Sequence, residues 1–379
     1  MDLSRATPKL KVLHIASGDL WAGAEVQLFT LLSQLRDGNA IEPHAALLND
    51  GELARKLRDK NIAITVIDET KLNGLQILWR LRKLMIDLRP NVIHTHRQKE
   101  NVLGVIANLL AARIPSVRTC HGAPEHTPKG LLNFHRRIFY LFDFWCGKYF
   151  QDRIIAVSQD LKNKLTAIFP AQKVVLVENG IDVEVVRASI KPVDFRLNAS
   201  NTVHVGIVGR LQQVKRVDLF LDMAALLLQQ APEINWHFHV IGDGPLRQRL
   251  TQQAATLDVT GQVTFHGHRP DSTSCLAGLD VLVMCSDHEG LPMTVLESIA
   301  VTTPVVAHAV GGLTNLLHND AFGILVTDHL PQAYASAVVG LLHVNRFPAT
   351  NIGQQSMPSR YLASSNAEAA CKLYRGLAK

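Results

Sequence analysis

The sequence predicts an α/β protein built from two doubly wound domains with parallel sheets. Three observations predict it: short β-branched runs alternate with amphipathic segments of helical length, the alternation stops in a polar segment near the middle, and it then begins again. Continuous apolar strands joined by helices are typical of a parallel sheet covered on both faces. With 379 residues, the chain has room for two such domains.

The first half of the chain contains seven candidate strands with helical spacing between them. The candidate strands are 11–17, 44–48, 63–68, 91–96, 115–120, 153–158 and 174–180, and the clearest helical segments are 25–36, 74–88, 100–112 and 160–168. We therefore expect an N-terminal Rossmann-like domain over residues 1–185.

The second half repeats the pattern after a polar, proline-containing segment that is predicted to be a linker, 186–201. Its candidate strands are 203–210, 236–244, 262–268, 280–286, 304–310 and 323–327. We expect a second Rossmann-like domain over 202–360 and a terminal helix over 361–379 that crosses back to the first domain. Ligands of such sheets bind beyond the carboxyl ends of the strands, so functional residues should lie in the loops that follow strands.

Composition excludes several classes of protein. The chain is 47% apolar and 19% charged, which is typical of a globular protein. Its longest apolar runs fall short of the ~20 residues that span a bilayer, and no signal peptide is expected before the first strand. The five cysteines are scattered and never in C-x-x-C spacing, which argues against a disulfide framework or a zinc site. We expect a cytoplasmic protein.

Positive charge is concentrated in one stretch of the first half. Residues 71–150 hold 13 basic and 4 acidic residues, a net charge of +9, whereas the whole chain carries +6. Large apolar side chains are interleaved with this charge in 80–89 and 129–150. Such a surface suits peripheral contact with an anionic membrane, and helices with an apolar core face and solvated charges fit it equally well. No nucleic-acid recognition motif accompanies the charge, so no nucleic-acid partner is expected.

The stretch "SDHEGLPMTVLESIA" places a carboxylate on each side of a Gly-Leu-Pro turn. Glu289 lies in the loop after a buried strand, and Glu297 lies two turns into the helix that follows. The start of that helix offers free N–H groups and the positive end of its dipole, an arrangement suited to anions. The proline of the turn has no N–H, so Leu291, Met293 and Thr294 are the candidate donors.

This stretch resembles the E-x7-E signature of family 4 retaining glycosyltransferases, which have the GT-B fold of two Rossmann-like domains facing a cleft. The resemblance implies that Glu289 contacts the hydroxyls of a donor sugar and that Glu297 accepts hydrogen bonds from the nucleotide ribose. Arg210 and Lys215 of "GIVGRLQQVKRVD" match the family's pair of cations, which neutralise the leaving diphosphate without a metal ion. His268 of "FHGHRPD" matches a segment that lines the base pocket.

The resemblance extends to the loops of the first half. "DLWAGAEVQLFTLL" resembles the family's G-G-x-E loop, with Ala22 at the first glycine and Gly23 and Glu25 retained. The family's loop closes its backbone over the donor phosphates, and alanine fits the first position only if a positive φ is not needed there. His121, after the fifth strand, matches a family histidine beside the donor sugar. For the two histidines of 92–96 we expect packing or shaping of an acceptor site.

Two segments depart from the family's pattern. Thr302 and Thr303 stand where a small residue and a glycine are usual, and Asn315 stands where an acid is common.

By this resemblance the protein is expected to be a retaining, metal-independent glycosyltransferase without a cofactor. It would move a hexose from a UDP- or GDP-sugar to a sugar or lipid-linked glycan, in bacterial polysaccharide or glycolipid synthesis at the inner face of the membrane. A nucleotide-sugar epimerase of the same fold and a non-catalytic binding protein are the alternatives. A dinucleotide oxidoreductase is disfavoured, because no G-x-G-x-x-G follows the first strand.

Overall fold

The computed structural model describes residues 9–122, 134–191, 193–196, 201–318, 322–343 and 357–378. The chain packs as two compact units. The first unit takes the residues up to Gly180 and those from Ala363 onwards, and the second is Ile181–Leu362. Each unit contains one sheet whose named strands pair in parallel, so the predicted fold of two parallel-sheet Rossmann-like domains is confirmed. The domain boundaries given above remain predictions.

The first unit has a seven-stranded sheet in the order β3-β2-β1-β4-β5-β6-β7. Its strands are β1 (Leu10–Ala16), β2 (Ile41–Leu47), β3 (Ala63–Val66), β4 (Val92–Thr95), β5 (Ser116–Cys120), β6 (Arg153–Ala156) and β7 (Val174–Leu176). Its helices are α1 (Gly23–Asp37), α2 (Glu52–Asp59), α3 (Gly74–Leu88), α4 (Gln98–Leu109), α5 (Phe134–Trp145) and α6 (Gln159–Thr166), and one π-helical turn follows α5 at Cys146–Phe150.

Successive side chains of a strand face opposite sides of the sheet, so the central strand β1 contributes side chains to a hydrophobic core on each face. Val12 packs with Leu28 of α1 on one face, whereas Leu13 packs with Leu81 of α3 on the other. Local signals fix the helix starts. Asn73 and Gln76 bond each other's backbone N–H groups in a capping box at the start of α3.

The second unit has a six-stranded sheet in the order β10-β9-β8-β11-β12-β13. Its strands are β8 (Thr202–Val208), β9 (Asn235–Ile241), β10 (Val263–Gly267), β11 (Val281–Met284), β12 (Val305–His308) and β13 (Gly323–Val326). Its helices are α7 (Val183–Ala188), α8 (Val217–Gln230), α9 (Arg247–Thr256), α10 (Ser272–Gly278), α11 (Met293–Ala300), α12 (Leu313–Leu316) and α13 (Pro331–His343). This strand order is that of a doubly wound dinucleotide-type sheet.

The segment predicted to be a linker is partly helical. α7 runs into it, and Arg187 of this helix donates a 2.8 Å hydrogen bond from Nε to the carbonyl oxygen of Ala300. The amide of Lys191 donates to Oγ of Ser274 at 3.0 Å. These bonds attach the segment to the second unit. A helix of six residues shows too little periodicity to be recognised in sequence, and tertiary bonds hold it.

The terminal helix α14 (Ala363–Leu377) belongs to the first unit, where it packs against α1, so the chain crosses back as expected. Tyr374 of α14 is fully buried, and its hydroxyl bonds Nδ1 of His94 at 2.6 Å. The side chain of Asn366 donates to the carbonyl oxygen of Glu178 at 2.7 Å. Among the described residues, no helix is long and apolar enough to cross a membrane.

Candidate functional site

In the second unit, the strand order reverses between β8 and β11, and the loops that follow these two strands meet. The amide of Asp287, after β11, donates a 2.9 Å hydrogen bond to the carbonyl oxygen of Val214, after β8. Arg216 adds a second tie, from Nη1 to a carboxylate oxygen of Asp287 at 3.2 Å. A crevice at this reversal is where doubly wound sheets bind their ligands.

Two of the predicted site residues form an ion pair at this point. Nζ of Lys215 lies 2.6 Å from Oε1 of Glu289. The lysine side chain is 26% exposed and the glutamate 12% exposed, so the pair is better shielded from solvent than a surface salt bridge. The pair holds a cation beside the start of α11 and fixes the orientation of the carboxylate, whose second oxygen is free to accept another hydrogen bond.

The loop after β12 supports the backbone on which Glu289 stands. Gly311 has a φ of +57°, and a Cβ atom there would lie 2.1 Å from the carbonyl oxygen of Glu289. The amide of Gly312 donates to the carbonyl oxygen of Gly290 at 2.6 Å. Only glycine combines this conformation with this approach, so the "VGG" turn sets the position of the glutamate.

The helix that follows begins at Met293, with Pro292 as its N-cap. Within the described part of the chain, the amides of Met293 and Thr294 have no hydrogen-bond acceptor, as is usual for the first N–H groups of a helix. The side chains of Leu291 and Met293 are buried in the core. These two side chains are therefore closed to a ligand, and the groups available at this helix start are the backbone amides of Met293 and Thr294.

Glu297 stands in the middle of α11 and is 9% exposed. Burial raises the pKa of its carboxyl group from 4.5 to about 7. No described residue donates a hydrogen bond to it. Hydroxyl groups of a ligand that reached this carboxylate would supply the missing donors.

Arg210 and His268 are the two predicted residues of this unit that the structure leaves exposed. Among the described residues, neither side chain has a hydrogen-bond or ion-pair partner. Their neighbours differ: Arg216 is bound by carboxylates, and Arg269 forms a two-bond pair with Asp271. Arg210 and His268 follow β8 and β10, so they lie at the same edge of the sheet as the ion pair, but no hydrogen bond or ion pair of the described residues joins them to it. Arg210 is thus a cation at that edge with no ion-pair partner among the described residues.

In the first unit, the loop after β1 opens α1 at Gly23. Ala22 is the N-cap of this helix, with φ −139° and ψ −179°. Since this is ordinary extended backbone, alanine is compatible with the position that the family reserves for glycine. Gly23 itself is exposed at the helix start. Because glycine has no side chain, nothing of this residue hinders the approach of a ligand to its amide.

His121 follows β5 at the end of a stack of imidazoles. Its ring lies 5.7 Å from that of His96, which in turn lies 4.3 Å from that of His94. Burial lowers the pKa of His121 to about 3, with a further contribution from nearby Arg97, so the ring is neutral at physiological pH. Its Nε2 atom is buried without a described partner, available to a ligand hydroxyl.

Three further histidines, His14, His94 and His96, lie next to His121. The sequence singled out the last two but not His14. His14 on β1 bonds His96, Nδ1 to Nε2, at 3.1 Å, and His94 bonds the hydroxyl of Thr119 at 2.7 Å. The donor atoms of His14, His94 and His96 lie within 4.8 Å of one another, and imidazoles are ligands for zinc and copper. Both nitrogens of His94 are already bonded to hydroxyls, so an ion would first have to displace these bonds.

Arg97 is a site residue that sequence reasoning missed. Its Nη2 atom lies 2.5 Å from Oε1 of Glu25, and Nη1 lies 3.2 Å from Oδ1 of Asp19. Burial raises the pKa of Glu25 to about 7 although Arg97 opposes the rise. The signal was its place directly after β4, where the strand order of this sheet also reverses.

Two family models match this chain, one over each half. Residues 21–185 match the Glycosyltransferase Family 4 model, and residues 202–344 match the glycosyl transferases group 1 model. Fold and site together define a GT-B glycosyltransferase. The chain belongs to family 4 of these enzymes, the glycosyl transferases group 1.

Curated relatives agree with this assignment. A UDP-Gal:alpha-D-GlcNAc-diphosphoundecaprenol alpha-1,3-galactosyltransferase of Escherichia coli is 25% identical over 344 residues, which cover 87% of each chain. A D-inositol 3-phosphate glycosyltransferase of Thermobispora bispora is 28% identical over 238 residues, 59% of this chain and 55% of that protein.

Solved structures share the fold. HepE of Anabaena in complex with UDP-glucose superposes with a TM-score of 0.82 at 22% identity, over 97% of this chain and all of that chain. WaaG, a glycosyltransferase involved in lipopolysaccharide biosynthesis, gives 0.70 at 14% identity, over 97% of this chain and all of that one.

Proposed function

We propose that this protein is a retaining, metal-independent glycosyltransferase that moves a hexose from a UDP- or GDP-sugar to a sugar or lipid-linked glycan acceptor. The observation that carries the proposal is the ion pair of Lys215 and Glu289 at the strand-order reversal of the second unit. It sets a cation and a hydroxyl-binding carboxylate beside the free amides of a helix start. That combination suits a sugar joined to a diphosphate.

The proposed donor contacts follow from the chemistry of each group. The ribose hydroxyls donate to Glu297, whose carboxylate lacks a described donor. The sugar hydroxyls donate to the second oxygen of Glu289, while its first oxygen holds Lys215. The diphosphate takes the amides of Met293 and Thr294. Each contact supplies a buried or oriented protein group with a missing partner.

The transfer step is proposed to depend on stabilising the leaving group. As the bond between the sugar and the diphosphate breaks, negative charge grows on the phosphate oxygen, and Lys215 and Arg210 offset it. The acceptor hydroxyl attacks from the same face and passes its proton to the departing phosphate, so the configuration at the anomeric carbon is kept. In the first unit, the family resemblance assigns the neutral His121 to a sugar hydroxyl and the amide of Gly23 to a phosphate.

The experiment compares Lys215→Ala with Lys164→Ala, a control in which an exposed lysine loses an ion pair to Asp160. A screen of UDP- and GDP-sugars by thermal shift first identifies a donor, because a bound ligand raises the melting temperature. We expect Lys215→Ala to lower kcat at least a hundredfold and the control to leave it unchanged. NMR of the product gives the anomeric configuration, and the assay is repeated with EDTA.

Three outcomes would contradict the proposal. Equal turnover of Lys215→Ala and Lys164→Ala would remove the leaving-group role. An inverted product or abolition of activity by EDTA would refute the retaining or metal-independent chemistry. Conversion of the donor to its epimer without any acceptor would instead identify a nucleotide-sugar epimerase.

We also propose that the acceptor is lipid-linked and that the basic-aromatic surface of residues 71–150, of which 123–133 lie outside the described residues, contacts an anionic membrane at its cytoplasmic face. The Escherichia coli relative is named for a diphosphoundecaprenol-linked substrate. Large aromatic side chains of this surface, Trp79, Trp145 and Tyr149, are more than half exposed, as are membrane-interface residues in general. Sedimentation with phosphatidylglycerol vesicles, against phosphatidylcholine vesicles as control, tests this contact.

A further inference from the structure

The first unit contains an apolar groove on the side of the sheet covered by α4 and α5. Its volume is about 450 Å³, within the range of small-molecule sites. Its walls come from α4, α5 and the π-helical turn. The side chains that shape it are Leu109, Ile138, Leu141, Phe142, Trp145 and Phe150.

The floor of the groove is as apolar as its walls. Val105 and Cys146 lie there and are 3% and 5% exposed. Burial raises the pKa of the Cys146 thiol to about 11, so this sulfur stays neutral and behaves as a small apolar group. Among the described lining residues, a ligand of this groove therefore meets almost only carbon and sulfur, and the one polar side-chain group is the indole N–H of Trp145.

The outer wall consists of large apolar side chains that are unusually exposed to solvent. Leu141, Phe142 and Trp145 are 54%, 55% and 53% exposed. Exposed apolar side chains scattered singly are ordinary, but a contiguous set around a concave surface marks a binding site.

The π-helical turn makes the aromatic side of the groove well defined. The rings of Trp145 and Tyr149 stack at 5.0 Å. Nζ of Lys148 lies 5.6 Å from the ring centre of Phe144 and 5.5 Å from that of Tyr149. Short π-helical turns are frequent at functional sites. Here the turn places a cation next to the apolar wall.

A second cation lies at the C-terminal end of α4. Nε of Arg82 donates to the carbonyl oxygen of Leu110 at 2.8 Å, one residue beyond Leu109. The groove thus has an apolar interior, with Lys148 beside its aromatic wall and Arg82 at the end of α4. This distribution complements a molecule with an alkyl chain and an anionic head group.

We propose that this groove binds the isoprenoid chain of a lipid-linked acceptor and so deepens the proposed function, on which it rests. The isoprenoid chain fits because it needs no hydrogen bonds and the lining is almost entirely apolar, and because the basic residues attract the phosphate groups that join such a lipid to a sugar. When bound, the apolar surface of the isoprenoid covers the exposed outer wall.

The test uses isopentenyl diphosphate and farnesyl diphosphate, which share a head group and differ in chain length, with inorganic diphosphate as the head-group control. Binding is followed by calorimetry and by the fluorescence of Trp145, which lines the groove. We expect the full-length protein to bind the farnesyl compound at least tenfold more tightly than the isopentenyl compound. The double variant Leu141→Gln/Phe142→Gln should lose this preference, because both changes place amides in the outer wall.

The matched control is Ile168→Gln, the same kind of change at a residue that is 39% exposed and outside the groove. It should keep the full preference. Folding of each variant is checked by its melting temperature. Thermal stabilisation by nucleotide-sugars tests the proposed function separately: a protein that binds no nucleotide-sugar contradicts the donor assignment, whereas the chain-length preference is measured without any donor.

Several results would overturn the groove proposal. One is equal affinity of the wild type for both isoprenoid diphosphates, and another is a preference that the double variant retains. A wild-type dimer that the double variant dissociates would make the groove an interface between copies of the chain. If the double variant no longer bound vesicles but kept its affinity for farnesyl diphosphate, the exposed outer wall would be assigned to contact with the bilayer instead.

Discussion

Glu297→Gln isolates the stability cost of the carboxylate that we assign to the ribose. Glutamine keeps the shape of the side chain but cannot ionise, so it removes only the penalty for burying a charge. Burial raises the pKa of Glu297 from 4.5 to about 7, and at about 1.4 kcal/mol for each pKa unit the ionised group costs the folded state about 3 kcal/mol.

The sign of the pH dependence follows from the direction of this change. A carboxyl group whose pKa is higher in the folded state favours folding at low pH and loses that contribution as pH rises from 4.5 to about 7. Below that window wild type and variant both carry a neutral side chain. We therefore expect Glu297→Gln to match the wild type at pH 4 and to be more stable by about 3 kcal/mol at pH 8.

The assay is urea unfolding at both pH values, followed by tryptophan fluorescence. Trp236, which is 2% exposed, reports on the second unit. Glu233→Gln is the control, since Glu233 is exposed in the same unit. The same Glu297 variant should bind the donor found by thermal shift at least tenfold more weakly, because a neutral amide is a poorer acceptor for two hydroxyls than a carboxylate. A variant no more stable than wild type at pH 8 would refute the reasoning.

Three further predictions test other contacts. Gly311→Ala should weaken donor binding measured by calorimetry, because its Cβ would meet the carbonyl oxygen of Glu289 at 2.1 Å; unchanged affinity would contradict the support given by this loop. Arg118→Leu should cost about 3–5 kcal/mol in urea unfolding, since it leaves the buried Asp143 without its 2.9 Å ion pair, and Arg118→Leu combined with Asp143→Leu should recover part of that loss. Tyr374→Phe should lower stability by about 1–3 kcal/mol because it leaves Nδ1 of the buried His94 without its partner, and an unaltered urea midpoint would count against that bond.

Much of the fold was predictable because each strand and helix carries its own local signal. All seven strands of the first unit and all six of the second overlap predicted segments, and α3 begins and ends at the predicted residues. The capping box of Asn73 explains the exact start of α3, since it depends on two residues three positions apart. α7 was missed because tertiary bonds such as that of Arg187 hold it.

The site was predictable where family motifs coincide with strand ends. The resemblance selected Lys215 and Glu289, which are 74 positions apart, and the structure joins them at 2.6 Å. Arg97 escaped prediction because its role depends on two partners that follow β1, Asp19 in the loop and Glu25 in the first turn of α1. No pattern within its own segment indicates those bonds. His14 escaped for the same reason, as a histidine in mid-strand looks like ordinary core.

The sequence by itself determined the alternation of strands and helices, the two-domain organisation and the motif residues, because these depend on periodicity and on short spacings along the chain. The tertiary structure alone decided which groups meet and which are buried. It gave Glu297 its raised pKa, Ala22 its compatible backbone and the apolar groove its shape. Desolvation and side-chain contact depend on neighbours from distant segments, and only the packed fold brings those segments together.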